Sequence, residues 1–537
     1  MLLKGVGASP GAAIARIYHL RQPDLSVEKL EGRDPETETA RYEKAKKKAV
    51  SELDMLSEKT AAADPAGAQV FDIHKMMLDD PDFCDGVEAE IASGMNAEYA
   101  VKSSADTLAD FLGTLENEVM RGRAADVRDV SGRLIRILKG IEEADETPGE
   151  EVIVLAEDLL PSQTVKLDRG KVAGFVTKRG SVTSHAVILA KTMGIPCIVG
   201  MGDGFDELPG TGEIAIDGKT GEVLVAPTES EREDFLRREE KFRQMKEDLE
   251  KYRNVEAVTQ SGHKVKVCAN IGGVADADAA SSFGADGVGL FRSEFLYLES
   301  TDFPSEEKQF AAYKAVLEKI SPRPVVIRTL DLGSDKQAPY FDIPKEENPA
   351  LGYRAIRICL KEPQIFRTQL RALLRASVYG KLQVMFPMIT HLGQVLEIKK
   401  FIGQIKEELD SESVPYSKDI EFGIMVETPA AAVMSDEFAA EVDFFSIGTN
   451  DLTQYTMAAD RMNARIRDIF NPADPAVLRF IEMTAKAAHK NGIWVGICGE
   501  SAADTLLTEF YMSIGIDELS VSPSSIPSVK KAVLSCK

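Results

Sequence analysis

The stretch EFGIMVETPAAAVMSDEFAAEVDFFSIGTND, Glu421 to Asp451, decides the fold of the second half of the chain. It holds two short apolar runs, FGIMV and FFSI, separated by a helical stretch, and polar groups follow each run: Glu427 after the first, Asn450 and Asp451 after the second. An apolar run of this length bounded by turn residues reads as a buried strand, and strand, helix, strand at this spacing reads as a parallel βα unit. The rhythm recurs in KVKVCANIG, GVGLFRSEF, PVVIRTLDLG and LQVMFPMI before it, and in WVGICGES and ELSVSP after it, which makes eight strands. Eight such units predict a TIM (β/α)8 barrel over residues 254–537. In a barrel the carboxyl ends of the strands meet at one mouth. Asn270, Arg292 with Glu294, Arg328 with Asp331, Glu427, Asn450 with Asp451, and Cys498 with Glu500 are therefore expected together.

Glu427 and Asp451 are hard oxygen donors without a histidine, a set that suits Mg²⁺ or Mn²⁺ held partly through a substrate's own oxygens. Arg292, Arg328 and Arg461 offer forked donors for a phosphate, and Asn450 offers an amide for a carboxylate. The plainer alternative is that arginines and carboxylates at strand ends pair with one another. Cys498 is neither a magnesium ligand nor a usual packing group at such a mouth, and reads as a proton donor or acceptor.

Upstream, GSVTSHAVILAKTMGIPCIVG (Gly180–Gly200) puts His185 where a strand and turn give way to a helix that Thr183 or Ser184 can cap. Free N–H groups and the helix dipole make that position an anion site, and a neutral imidazole there can act as a nucleophile. The plainer alternative is a solvated histidine beside a cap. Around it, EVIVLAEDL, KVAGFVTKRG, CIVGMG and GEIAIDGKTGEVLVAP read as strands, so that residues 1–20 and 143–228 make one α/β domain. Residues 1–20 read as two strands about a Gly/Pro turn. The stretch 21–142 is helical in period and reads as an inserted all-helical domain, with His74 structural in an apolar setting. Its residues 51–120 carry 16 Asp or Glu against 3 Lys or Arg, a solvated face or a surface that steers a basic protein partner. Residues 229–253 read as one long exposed linker helix, opened by a capping box between Thr228 and Glu231.

With 537 residues the chain is too long for one core. A composition of 44% apolar and 28% charged residues, without a membrane-length apolar run or an amino-terminal signal pattern, is that of a soluble protein, and a cytoplasmic location is the expectation. Six scattered cysteines without a C-x-x-C pair point to reduced thiols and away from zinc. A net charge of −23 disfavours nucleic acid or an anionic membrane as partner, so no membrane insertion is expected and positive charge for a phosphorylated substrate must be gathered locally.

Taken in order, ASPG at Ala8, RAADVRD at Arg123, TSHAVILAK at Thr183, GVGLFRSEF, RTLDLGSDK, ENPALGYRAIR, MFPMI, VETPAA, FFSIGTNDLTQYT, AADR at Ala458 and CGES at Cys498 closely resemble Enzyme I of the bacterial sugar phosphotransferase system, the phosphoenolpyruvate-protein phosphotransferases, along essentially the whole chain. The resemblance implies a phosphohistidine α/β swivelling domain with a helical insert that docks the histidine-containing phosphocarrier protein HPr. It implies a barrel that binds phosphoenolpyruvate and forms a homodimer. By it His185 is phosphorylated, Arg292, Arg328, Asn450, Asp451 and Arg461 hold phosphoenolpyruvate, Glu427 and Asp451 hold Mg²⁺, and Cys498 protonates the enolate. Two departures stand out: Ser181 and Val182 replace the family's Gly-Arg before the histidine, and the chain ends at Lys537, soon after the eighth strand. The first removes a cationic contact to the phosphoryl group; the second is expected to weaken barrel closure or the dimer.

A pyruvate phosphate dikinase or phosphoenolpyruvate synthase shares the swinging histidine and barrel but requires a nucleotide-binding domain, in whose place the acidic helical segment stands. A non-catalytic regulator that senses phosphoenolpyruvate would not require His185, Cys498 and the two carboxylates together.

Overall fold

The computed structural model describes the chain except residues 21–23, 62–64, 115–117, 142–148, 160–162, 164–166, 182–183, 299, 301, 335–337, 339, 342, 345 and 467. It forms two compact units, Met1–Lys246 and Glu247–Lys537.

In the first unit eight strands form one mixed sheet: β1 (Leu2–Lys4), β2 (Val6–Ser9), β3 (Ala12–His19), β4 (Val152–Ala156), β5 (Val172–Thr177), β6 (Cys197–Val199), β7 (Glu213–Asp217) and β8 (Glu222–Val225), in the order β1-β8-β7-β3-β4-β5-β6-β2. The first twenty residues therefore supply three strands where two were expected. The break falls at Gly5, whose N–H donates to Gly221 O at 2.9 Å. β1 and β2 lie at opposite edges and are joined by that one residue, so the sheet curls until its edges approach. β4 and β5 are buried at every position, as parallel strands covered on both faces must be. On one face Ile153, Leu155, Val176 and Ile198 pack together; on the other Val154 and Phe175 pack under Ala186, Val187 and Ala190 of the helix His185–Met193.

Between β3 and β4 lie helices Pro35–Ala61, Pro65–Leu78, Pro81–Ala92, Ala97–Thr114 and Glu118–Leu138. Ala97, Ala100, Val101, Ala105 and Ala109 recur at helical spacing on one buried face, small enough to bring Ala124, Val127, Val130 and Leu134 of the next helix close. His74 is buried, with Nε2 3.5 Å from Asp126 Oδ1 and its ring edge-on to Phe71. The linker helix is Glu229–Glu250, and Phe235 is its one buried residue among those described. Its capping box is present: Glu231 Oε2 accepts from Thr228 N at 2.8 Å and Glu231 N donates to Thr228 Oγ1 at 3.4 Å.

In the second unit the eight expected strands form a closed, all-parallel barrel: β9 (Lys266–Ile271), β10 (Val288–Arg292), β11 (Pro324–Arg328), β12 (Lys381–Phe386), β13 (Glu421–Val426), β14 (Phe444–Ile447), β15 (Trp494–Ile497) and β16 (Glu518–Val521). Closure is made by β16 on β9, paired from Glu518 with Lys266 to Val521 with Ala269. The interior is filled by side chains, Leu290, Val326, Met385, Met425 and Phe444 among them, with Trp494 stacked on Phe444 at 4.4 Å between ring centroids. Among the described residues no helix is long and apolar enough to cross a membrane.

One interior group works against stability. Glu518 is 3% exposed, and a Cβ on Gly289 would lie 2.5 Å from its Oε1, so the glycine is what makes room for the carboxyl. Burial pushes this carboxyl up from the usual 4.5 to about 7, against the pull of Lys266 and a hydrogen bond with the Cys268 thiol. The folded state thus holds the proton more tightly than the unfolded one, and stability falls as pH rises from 4.5 to about 7. Glu518→Gln is expected to remove that slope and to raise barrel stability at pH 8 by up to about 3 kcal/mol. Thermal unfolding of both proteins at pH 5 and pH 8 checks it; equal gains at the two pH values would contradict the assignment.

Candidate active site

The mouth is built from residues that end strands or immediately follow them. Arg292 closes β10 and Arg328 closes β11; Glu427 follows β13, and Cys498 follows β15. Asn450 and Asp451 sit in the first turn of the helix Thr449–Met457, directly after β14. An apolar strand buried in the barrel leaves its next residue at the rim, which is why these spacings place chemistry there.

Arg328 is buried between two carboxylates. Its Nη2 donates to Glu294, and its Nη1 lies 3.1 Å from Asp331 Oδ2. Asp331 Oδ1 in turn accepts from Arg354 Nη2 at 2.9 Å. Buried charges persist only when paired in this way. The pairing alternative therefore holds for Arg328 in this structure. Arg292 and Arg461 are exposed and make no ion pair among the described residues, so they remain available to an anion. Arg354, 4% exposed, joins this network from the ENPALGYRAIR segment, whose sequence carries no sign of it.

Glu427 is 1% exposed, and its Oε1 accepts from Met388 N at 2.6 Å. Met388 presents that N–H at φ 58°, a left-handed conformation that a side chain of this kind seldom adopts. Burial, then the Asp451 and Asp331 carboxylates, push the Glu427 carboxyl well above the usual range, and Arg328 opposes them. Neighbouring carboxylates that repel one another are relieved by a cation between them. Among the described residues no three His, Cys, Asp or Glu side chains form a metal-binding group by themselves. Glu427 and Asp451 thus fit a hard divalent ion that completes its shell from substrate or water.

Cys498 is 4% exposed and packs against the interior side chains of the barrel, so it is a packing group as well as a polar one. Its N–H donates to Ile447 O at 3.1 Å, and its Sγ lies 3.6 Å from the same oxygen. Burial pushes the thiol up to about 11, despite a hydrogen bond with Ser446 and the charges of Arg328 and Arg292. It is a protonated thiol at neutral pH, as a donor must be. The turn that follows is locked: Asn450 Oδ1 accepts from Glu500 N at 3.1 Å, and Ser501 Oγ donates to Thr449 Oγ1 at 2.8 Å.

In the first unit the structure gives His185 the first position of the helix His185–Met193, which ends at Gly194 with φ 67°. Ser184 is the N-cap, but its side chain makes no capping bond, and its buried Oγ has no partner among the described residues. Val187 N–H is taken by Ser184 O at 3.0 Å, so it is the amides before it in this first turn that favour an anion at the helix start. Val182 and Thr183 lie outside the described residues, as does the side chain of His185.

The sequence matches three family descriptions: "PEP-utilising enzyme, N-terminal" over residues 4–123, "PEP-utilising enzyme, mobile domain" over 148–221, and "PEP-utilising enzyme, PEP-binding domain" over 246–537. Phosphoenolpyruvate-protein phosphotransferases of Priestia megaterium and Bacillus subtilis are each 44% identical over 529 residues, 98% of this chain and 92% of theirs. That of Enterococcus faecalis is 45% identical over 531 residues, with the same shares. The chain belongs to the phosphoenolpyruvate-protein phosphotransferase family. The three family segments fall on the helical and first-strand region, on the sheet that carries the His185 helix, and on the barrel.

Proposed function

We propose that the chain transfers the phosphoryl group of phosphoenolpyruvate to His185 and then to a histidine of the carrier HPr, releasing pyruvate, as the first step of sugar uptake by the phosphotransferase system. The observation that carries this reading is a buried thiol, Cys498, at the barrel mouth where Arg292 and Arg328 end their strands and Glu427 and Asp451 follow theirs, in a chain of this family. Arg292, Arg461 and Arg328 neutralise the phosphate, with Arg328 leaving Glu294 or Asp331 in part to do so. Asn450 takes the substrate carboxylate. Glu427 and Asp451 would hold Mg²⁺, which supplies charge neutralisation at the phosphate and orientation of its oxygens. As the P–O bond breaks and the N–P bond to His185 forms, Cys498 gives its proton to the enolate carbon. The domains divide the work: residues 1–20 with 143–228 carry the histidine, 21–142 dock HPr through their acidic face, 229–253 link, and 254–537 bind phosphoenolpyruvate and dimerise, all in the cytoplasm.

Incubation of the protein with radiolabelled phosphoenolpyruvate and Mg²⁺ is expected to label it, and HPr added afterwards to take the label away; an unlabelled protein would overturn the reading. Cys498→Ala is expected to bind phosphoenolpyruvate with affinity within about twofold while pyruvate formation falls at least about a hundredfold, the range of a lost general acid. Near-normal pyruvate formation would move the proton-donor role elsewhere.

A further inference from the structure

Asn270 is the last residue but one of β9, two strands away from Cys498 in the barrel order β15-β16-β9. Its Nδ2 reaches across β16, donating to Ser520 O at 3.1 Å and to Cys498 O at 3.2 Å, while its Oδ1 accepts from Ser520 Oγ at 2.7 Å. The serine hydroxyl therefore fixes which end of the amide faces the carbonyls. The Cys498 carbonyl requires such a partner, because the pairing of β15 with β16 stops at Ile497 with Leu519 and Cys498 lies beyond that ladder. On the other side Cys498 N–H is held by Ile447 O. The next residue offers no slack: a Cβ on Gly499 would lie 1.9 Å from Thr449 Oγ1. The Cys498 backbone is thus pinned from β14 by its N–H and from β9 by its carbonyl, and these two bonds fix the base from which the side chain projects, its Sγ 3.6 Å from Ile447 O.

We propose that Asn270 is a positioning residue for the proton-donating step, holding the Cys498 carbonyl so that the thiol faces the carbon to be protonated. The inference rests on the reading of Cys498 as proton donor. In that step the phosphoenolpyruvate P–O bond breaks and the histidine N–P bond forms; the electron pair left on the enolate oxygen becomes the keto group as the carbon takes the Cys498 proton. The resulting thiolate is reprotonated by water. Loss of Asn270 leaves the arginines and carboxylates in place, so it should slow protonation and spare phosphoryl transfer. A residue that merely stabilises the barrel would slow both alike.

The test uses the full chain with Mg²⁺ in a single turnover. Transfer of ³²P to the protein is followed beside reduction of pyruvate by lactate dehydrogenase and NADH, which detects only the keto form. In the unsubstituted protein the two progress together. In Asn270→Ala, pyruvate is expected to lag the label at least tenfold. Asn270→Asp keeps the acceptor for Ser520 but lacks the N–H donors; it is expected to lag in the same sense and decides the matter alone if Asn270→Ala does not fold. Pyruvate keeping pace with label in both variants, or both signals falling equally, overturns the inference. Cys498→Ala run in parallel separates the two readings: a lag there but not at Asn270 removes this inference alone, whereas no lag at Cys498 removes the donor assignment and this inference with it.

Discussion

His185→Ala should take no label from phosphoenolpyruvate at all. The chain has six histidines, and the structure gives each of the other five a different occupation. His74 is buried beside Asp126, His489 lies 3.4 Å from Asp517, and His19 and His263 each place Nε2 against a backbone carbonyl, of Pro209 and of Ile516. His391 is the rival, because it is the N-cap of the helix Leu392–Ser411, so His185 is not alone at a helix start. There, however, Gln394 Oε1 already accepts from His391 N at 3.2 Å, which completes the helix start with a side chain and leaves less for an anion. At His185 the Ser184 side chain leaves the first amides uncapped. His391→Ala is therefore the control, expected to label normally. Acid-labile ³²P incorporation, with circular dichroism to establish that each variant is folded, measures both; a labelled His185→Ala protein would falsify the nucleophile assignment.

Much of this architecture was legible because parallel barrel strands are buried on both faces and write continuous apolar runs. PVVIR announces β11 without any alternation to be mistaken for an exposed sheet, whereas KLQVMF opens with Lys381 and Gln383 alternating with Leu382 and Val384, although every residue of β12 but Lys381 is buried. Strand ends then follow from counting, which is how Arg328, Glu427 and Cys498 could be placed at one mouth. Partner choice could not be read the same way. That Arg328 bonds Glu294 and Asp331, and that Arg354 arrives from a separate segment to share Asp331, depends on the closure of the barrel and leaves no periodic mark. Asn270 was visible as a strand-end amide, yet its reach across β16 to a carbonyl belongs to the three-dimensional ladder. Gly5 hid the extra strand, since a single glycine inside LLKGVGAS looks like a weak strand position and is instead the crossing from one sheet edge to the other.

Replacing Glu427 by Gln or Asp451 by Asn should abolish metal-dependent turnover and, in the case of Glu427, stabilise the metal-free protein. Both substitutions keep the side chain's size and remove one negative charge, so the barrel should survive. What is lost is the pair of anionic oxygens that would grip the ion. If the ion supplies several kcal/mol of charge stabilisation to phosphoryl transfer, turnover at limiting Mg²⁺ should drop on the order of a thousandfold. The stability effect has the opposite sign. The Glu427 carboxyl is held well above the usual range by burial and by its carboxylate neighbours, so the folded state binds its proton more tightly than the unfolded one. Stability is therefore lost as pH rises from the ordinary carboxylate range through that raised value, and glutamine, which never ionises, escapes the loss. At pH 8 without metal, Glu427→Gln should melt at a higher temperature than the unsubstituted protein, and at pH 4 the advantage should vanish. Added Mg²⁺ with phosphoenolpyruvate should raise the melting temperature of the unsubstituted protein and leave that of either variant unmoved, since only a site that binds the ion gains stability from it. Turnover at limiting Mg²⁺ and melting curves at the two pH values measure both effects. Unchanged turnover, or an equal Mg²⁺-dependent rise in melting temperature in the variants, would place the ion elsewhere than on Glu427 and Asp451.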